Sequence, residues 1–161
     1  MLTKALLPCR FLAPSLALTL CFSFGLSERS EAKFFQSRFQ SVEVSPELLK
    51  ASHIAEANAR PRSIKKCWRY VKRALVAANV VDSYPEGVSA KYAGRVLTQQ
   101  HGFTKLNNVR TPEDAPIGAV LVYGGKGHGH VEFRTEDGYV SDFKSSKHSP
   151  RPLTGVYVKT S

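Results

Sequence analysis

Cysteine is scarce in this chain: 161 residues contain three, Cys9, Cys21 and Cys67. That number excludes a disulfide-stapled scaffold, which needs several bridges in a short chain. Acidic side chains are also in deficit. Thirteen Asp and Glu stand against twenty-three Lys and Arg, which leaves a formal net charge of +10 at neutral pH. Internal repeats and low-complexity tracts are lacking, and so is any glycine-rich phosphate-binding fingerprint of the P-loop or dinucleotide kind. Few aromatic residues alternate with the basic ones, so there is no stacking platform for single-stranded nucleic acid. Specific nucleic-acid binding is therefore not expected, and no cofactor is called for.

What remains is ordinary for a globular protein. Hydrophobic residues make up 42% and charged residues 22% of the chain, enough to build one core. The length suits one domain with accessory segments.

The first residues stand apart. Lys4 and Arg10 give a positive start, Phe11 to Leu26 is almost wholly apolar or small, and Ser30-Glu31-Ala32 follows with small residues where a signal peptidase reads. The apolar run of 16 residues is short for a membrane span, which needs roughly 20. Residues 1–32 therefore read as a signal peptide, and the protein is expected to be secreted or periplasmic after cleavage. An uncleaved anchor is the competing reading. Cleavage would remove three basic and two acidic residues, so +10 becomes +9. A basic exported protein is drawn to polyanions, among them anionic wall and envelope polymers. Cleavage would also leave Cys67 as the sole cysteine. An unpaired thiol in an oxidising compartment is a candidate nucleophile, with an inert buried cysteine as the alternative.

Residues 33–62 read as an N-terminal arm with one short helix. Ser45-Pro46-Glu47 starts that helix with a cap, a proline at the first helical position and an acid in the first turn. It runs to about Asn58. The strongest helical pattern follows over residues 63–80. Ser63 is the expected cap, and Ile64, Cys67, Trp68, Val71, Leu75 and Ala78 recur at threes and fours. Lys65, Lys66, Arg69, Lys72 and Arg73 cover the other side. Cys67 then falls near the positive end of the helix dipole, which favours a thiolate. Ser89 caps a further helix to Gln100 or His101, ended by Gly102.

Beyond Pro116 the period changes to strands: Ile117–Tyr123, His128–Arg134, Tyr139–Phe143 and Gly155–Lys159, with a basic loop over Lys144–Arg151. Helices first and an antiparallel sheet second make the class α+β.

A thiol nucleophile needs an imidazole, and Gly127-His128-Gly129-His130-Val131-Glu132-Phe133 offers two. His128 neighbours glycines, whereas His130 lies within the strand and is better aimed, so His130 is the expected base. A third group usually orients the ring. If Glu136-Asp137-Gly138 is a three-residue loop, Thr135 pairs with Tyr139 and Asp142 becomes a diagonal neighbour of His130 on the same face. A two-residue loop would send Asp142 to the other face. Glu132 is the rival.

With these motifs in hand, the chain resembles a known superfamily. Cys67-Trp68 at a helix start, Pro116-Ile117-Gly118-Ala119-Val120-Leu121-Val122-Tyr123, then Gly129-His130-Val131-Glu132-Phe133 and Ser141-Asp142-Phe143 are similar to the NlpC-like and CHAP (cysteine, histidine-dependent amidohydrolase/peptidase) cell-wall hydrolases. The likeness covers roughly Ser63 to Lys159 and implies a papain-like fold, with residues 63–161 as the cysteine hydrolase domain. It implies Cys67 as nucleophile, His130 as base and Asp142 as third polar group. The implied substrate is peptidoglycan, cut within the stem peptide or between sugar and peptide by a monomer. The step before the nucleophile departs from the Asp-Cys or Gln-Cys of relatives; here it is Lys66-Cys67, which leaves the Cys67 N–H as an oxyanion donor. Two other readings stand beside this one. A zinc peptidase would use His128 and His130 with Asp142 or His148, and a catalytically inactive basic module would only bind the wall.

Overall fold

The computed structural model describes residues 42–161. The signal-peptide assignment and the arm as far as residue 41 lie outside the described residues. Three α-helices precede most of a six-stranded sheet.

Helix α1 spans Pro46–Asn58. Its start follows the local chemistry. The Ser45 side chain accepts from the Leu48 N–H at 3.2 Å, Pro46 takes the first turn and Glu47 sits at the positive end of the dipole. Leu48, Ala51, Ser52 and Ala55 are buried against α2 (Cys67–Ala77) and β3 (His130–Thr135). The helix assigned to the arm is thus part of the same compact unit as the rest, Ser41–Ser161.

Helix α2 begins four residues later than the pattern of apolar residues suggests. Lys65 has φ 60, a left-handed value outside any helix, and the helix starts at Cys67 with Lys66 as its cap residue. Ser63 does not cap it; the Ser63 hydroxyl donates to Asp142 at 3.3 Å. Asn79, again with φ 60, closes the far end. Val71 and Leu75 are fully buried, and each contributes about 1.5–3 kcal/mol of hydrophobic stabilisation. Lys72 was expected on the solvent side, yet it is only 8% exposed.

The helix after Ser89 opens with a 3₁₀ turn, Ala90–Tyr92, and continues as α3, Ala93–His101. Gly102 ends it at φ 70, where a side chain would be strained. α3 packs on β1 and β6, and Gly94 lies so close to the Tyr157 ring that no Cβ fits there.

The strands are β1 (Thr104–Leu106), β2 (Val120–Tyr123), β3, β4 (Gly138–Val140), β5 (Lys144–Ser145) and β6 (Leu153–Val158). Their order across the sheet is β1-β6-β2-β3-β4-β5, every pair antiparallel. The two central strands are β2 and β3, and their valines and Phe133 are buried. β1 and β5 have no counterpart in the strand pattern of the sequence. Both are short, and a run of two or three residues is too brief to display a period. The β3–β4 turn carries two residues, Glu136 and Asp137, with Thr135 paired to Gly138. That is one step away from the Thr135–Tyr139 pairing of a three-residue loop, and the consequence falls on the site.

Candidate active site

Cys67 is the first residue of α2 and is half-buried. Its placement is set by the segment before it. Asp142, fully buried, accepts from the Ile64 N–H at 2.7 Å, the Lys66 N–H at 3.1 Å and the Ser63 hydroxyl at 3.3 Å, all on Oδ2. The Ser141 hydroxyl donates to Oδ1 at 3.2 Å, and the Asp142 carbonyl accepts from the Arg60 N–H at 2.8 Å. One residue of the bend between β4 and β5 therefore clamps both ends of the stretch 60–66. The carboxylate satisfies amide donors that the approach to a helix leaves open, and it holds the left-handed turn at Lys65.

His130 is the first residue of β3 and pairs with Tyr123 at the end of β2. The chain reaches it through Gly129, which has φ 70 and no room for a Cβ against the Tyr123 carbonyl oxygen and Lys91. Only glycine fits that approach. The Cys67 side chain is near enough to the imidazole to act on its protonation. Nε2 meets Oε2 of Glu132 at 3.0 Å, which leaves Nδ1 as the second nitrogen of the ring. Glu132 is itself buried, 3% exposed, and its second oxygen accepts from the Tyr123 hydroxyl at 2.7 Å and the Ser149 N–H at 3.2 Å. Burial, and then the neighbouring Glu132, push the Tyr123 phenol well above its ordinary value, so it remains a donor.

Burial alone would lower the His130 pKa. The hydrogen bonds and charges of Cys67 and Glu132 outweigh it, and the imidazole is pushed up to about 9. The folded value lies above the ordinary 6.5. Stabilisation from this group is therefore fully present below about pH 6.5 and is lost as pH rises through about 9. A proton-NMR titration should give the His130 ring a midpoint near 9. Glu132→Gln should lower it, because the acceptor on Nε2 loses its charge. A wild-type midpoint at 6.5 or below would contradict this geometry.

The structure sets Cys67 at the start of α2 and His130 at the start of β3, and it puts Glu132 rather than Asp142 on the ring. Asp142 was expected beside the ring as a catalytic group. The two-residue turn shifts the register, Asp142 turns to the backbone ahead of Cys67, and Glu132 takes the imidazole. Tyr123 and Ser149, which support Glu132, were not anticipated. A tyrosine closing an apolar strand next to a Glu-bearing one is the only hint of that bond in the sequence. His128 is exposed, and its carbonyl rather than its ring is engaged. His148 bonds Glu113 at 3.2 Å and sets its ring edge-on to Tyr139. Among the described residues no three His, Cys, Asp or Glu side chains converge as a metal-ligand set, so the His128/His130 zinc arrangement lacks its partners.

No known family profile matches the chain, and no curated protein matches it. Among solved structures, it is similar to a chain of the type VI native effector–immunity complex Tae3-Tai3 from Ralstonia pickettii. That match has a TM-score of 0.57 at 24% identity and covers 71% of this chain and 98% of the other. A selenomethionine form of the same complex matches at TM-score 0.48 and 26% identity, over 60% of this chain and 80% of that one. The fold is α+β and papain-like.

Proposed function

We propose that this protein is a cysteine hydrolase of peptidoglycan amide bonds. The observation that carries the reading is the meeting of a cysteine at a helix start with an imidazole whose far nitrogen is held by a buried, fully bonded carboxylate. That is the arrangement a thiolate nucleophile needs: positive dipole, adjacent imidazolium and an orienting acceptor.

In the proposed cycle, the Cys67 sulfur attacks the carbonyl carbon of the amide while His130 Nδ1 holds the thiol proton. The carbonyl electrons move to oxygen, and the Cys67 N–H, which has no intrahelical partner at the first helical position, is the expected donor to that oxyanion. The C–N bond breaks, and His130 delivers the proton to the leaving amine. Water, deprotonated by the same ring, then cleaves the thioester and regenerates the thiol. Glu132 keeps the imidazole aimed and offsets its positive charge. It replaces Asp142 in the role the family resemblance suggests.

The resemblance to NlpC-like and CHAP enzymes supports peptidoglycan as substrate, cut as a stem-peptide endopeptidase or as an N-acetylmuramoyl-L-alanine amidase. The similarity to a protein crystallised as a type VI effector with its immunity protein supports a role against another cell, with an inhibitory partner protein in the producer. The signal-peptide pattern of residues 1–32 supports export.

Digestion of purified sacculi, followed by mass spectrometry of the fragments, tests this reading. New amine and carboxyl ends at one amide are expected, with activity lost to iodoacetamide and kept in a metal chelator. Sacculi left undigested, or digestion that survives complete alkylation of Cys67, would refute the proposal.

A further inference from the structure

Lys72 lies on α2 five residues beyond Cys67, and its burial has no catalytic explanation. Its ammonium sits 5.4 Å from the Trp68 ring centroid and 4.4 Å from that of Tyr84, and it donates to the Gly87 carbonyl at 3.0 Å. Withdrawing an ammonium from water is costly, and a Met or Leu would fill the same space more cheaply. What the cation adds is direction. It fixes a carbonyl in the loop 84–89, whose stretch 86–88 is exposed, with Val88 at 88%.

The other end of that loop reaches the histidine. The Ser89 hydroxyl donates to the His128 carbonyl at 3.3 Å, and the Lys91 N–H donates to the same oxygen at 2.9 Å. Lys91 also closes off the space beside Gly129. His130 is the next residue. A continuous path therefore runs from the helix bearing the sulfur, through Lys72 and Gly87, along the loop to Ser89 and Lys91, and into the turn that delivers the ring.

We propose that Lys72 is a positioning residue: through the strap 84–91 it sets the separation of the Cys67 sulfur and the His130 ring. The inference rests on the pairing of Cys67 with His130 described above. A cation clamped between two rings and a carbonyl is directional, whereas an apolar side chain would let the strap slide. Small displacements between reacting groups are expensive in rate.

The test uses the full chain and two readouts that do not require wall substrate: the rate of Cys67 alkylation by iodoacetamide at pH 6 and the NMR titration of His130. Lys72→Met should slow alkylation about tenfold, the cost of a sub-ångström misplacement, and should move the His130 midpoint down toward 6.5 while the chain stays folded. Lys72→Arg, which keeps the cation over the rings, should restore most of both. Ser89→Ala removes one exposed hydroxyl, leaves the core untouched and should move both readouts the same way by a smaller amount. It decides the matter if Lys72→Met does not fold. Wild-type values in Lys72→Met, or in Ser89→Ala where Lys72→Met does not fold, would overturn the strap proposal alone. A wild-type His130 that titrates at its ordinary value would instead overturn the pairing, and the proposed function with it.

Discussion

Sacculi incubated with the Cys67→Ala protein should remain intact, with release of fragments down about a thousandfold or more against wild type, since removal of a covalent nucleophile leaves only binding and oxyanion contributions. His130→Ala should be equally inactive, because the two side chains act as one unit and their losses do not add. Neither substitution should unfold the protein. Cys67 is half-buried, so its truncation opens no sealed cavity. His130 lies at the first position of its strand, and Tyr123 and Ser149 continue to satisfy one oxygen of Glu132 when the ring is gone. Circular dichroism and thermal melting check the fold, and turbidity of the sacculi checks the activity. Lysis at the wild-type rate by Cys67→Ala would end the thiol mechanism, and the protein would then be the inactive basic wall-binding module or an enzyme working through other residues.

Asp142→Ala should be the most destabilising single change at the site. The carboxylate accepts two backbone N–H groups and two hydroxyls and is wholly inaccessible to solvent. Its removal strands the amides of Ile64 and Lys66 away from their acceptor. Hydrogen bonds to a charged group contribute about 1.5–3 kcal/mol each, and an abandoned buried donor costs its desolvation, so a loss of about 3 kcal/mol or more is expected. In a domain of this size that corresponds to a melting temperature lower by roughly 10 °C. Asp142→Asn keeps one oxygen and should lose less. Activity should fall with stability in both, since the stretch ahead of Cys67 loses its anchor. The His130 titration separates this role from a direct one. If Asp142→Asn leaves the melting temperature unchanged but shifts the His130 midpoint, Asp142 acts on the ring after all, and its assignment to the helix approach is wrong.

The two acids show where sequence reading stopped. Cys67 and His130 are proposed as the reactive pair from local signals: an unpaired cysteine in a helical repeat, and a histidine at the start of a strand. The choice between Glu132 and Asp142 depended on whether Glu136-Asp137-Gly138 turns with two residues or three, and a glycine there suits either. One step of register interchanges the faces of every residue beyond the turn. Lys72 was misplaced for a related reason. On a helical wheel it belongs with Arg69 and Arg73, and only the arrival of Tyr84 and Gly87 from another part of the chain encloses it.

By itself the sequence determined the order of helices before strands, the cap of α1 at Ser45, the end of α3 at Gly102 and the central strands of the sheet. Each of these is decided within a few residues by hydrogen bonding, backbone freedom and the period of apolar side chains. Tertiary structure decided where α2 begins, which carboxylate meets the imidazole, and which one binds the backbone ahead of Cys67. Those outcomes turn on contacts between residues tens of positions apart, such as Asp142 with Ile64 and Glu132 with Ser149. No local pattern records such contacts, because they form only when the sheet closes on its helices.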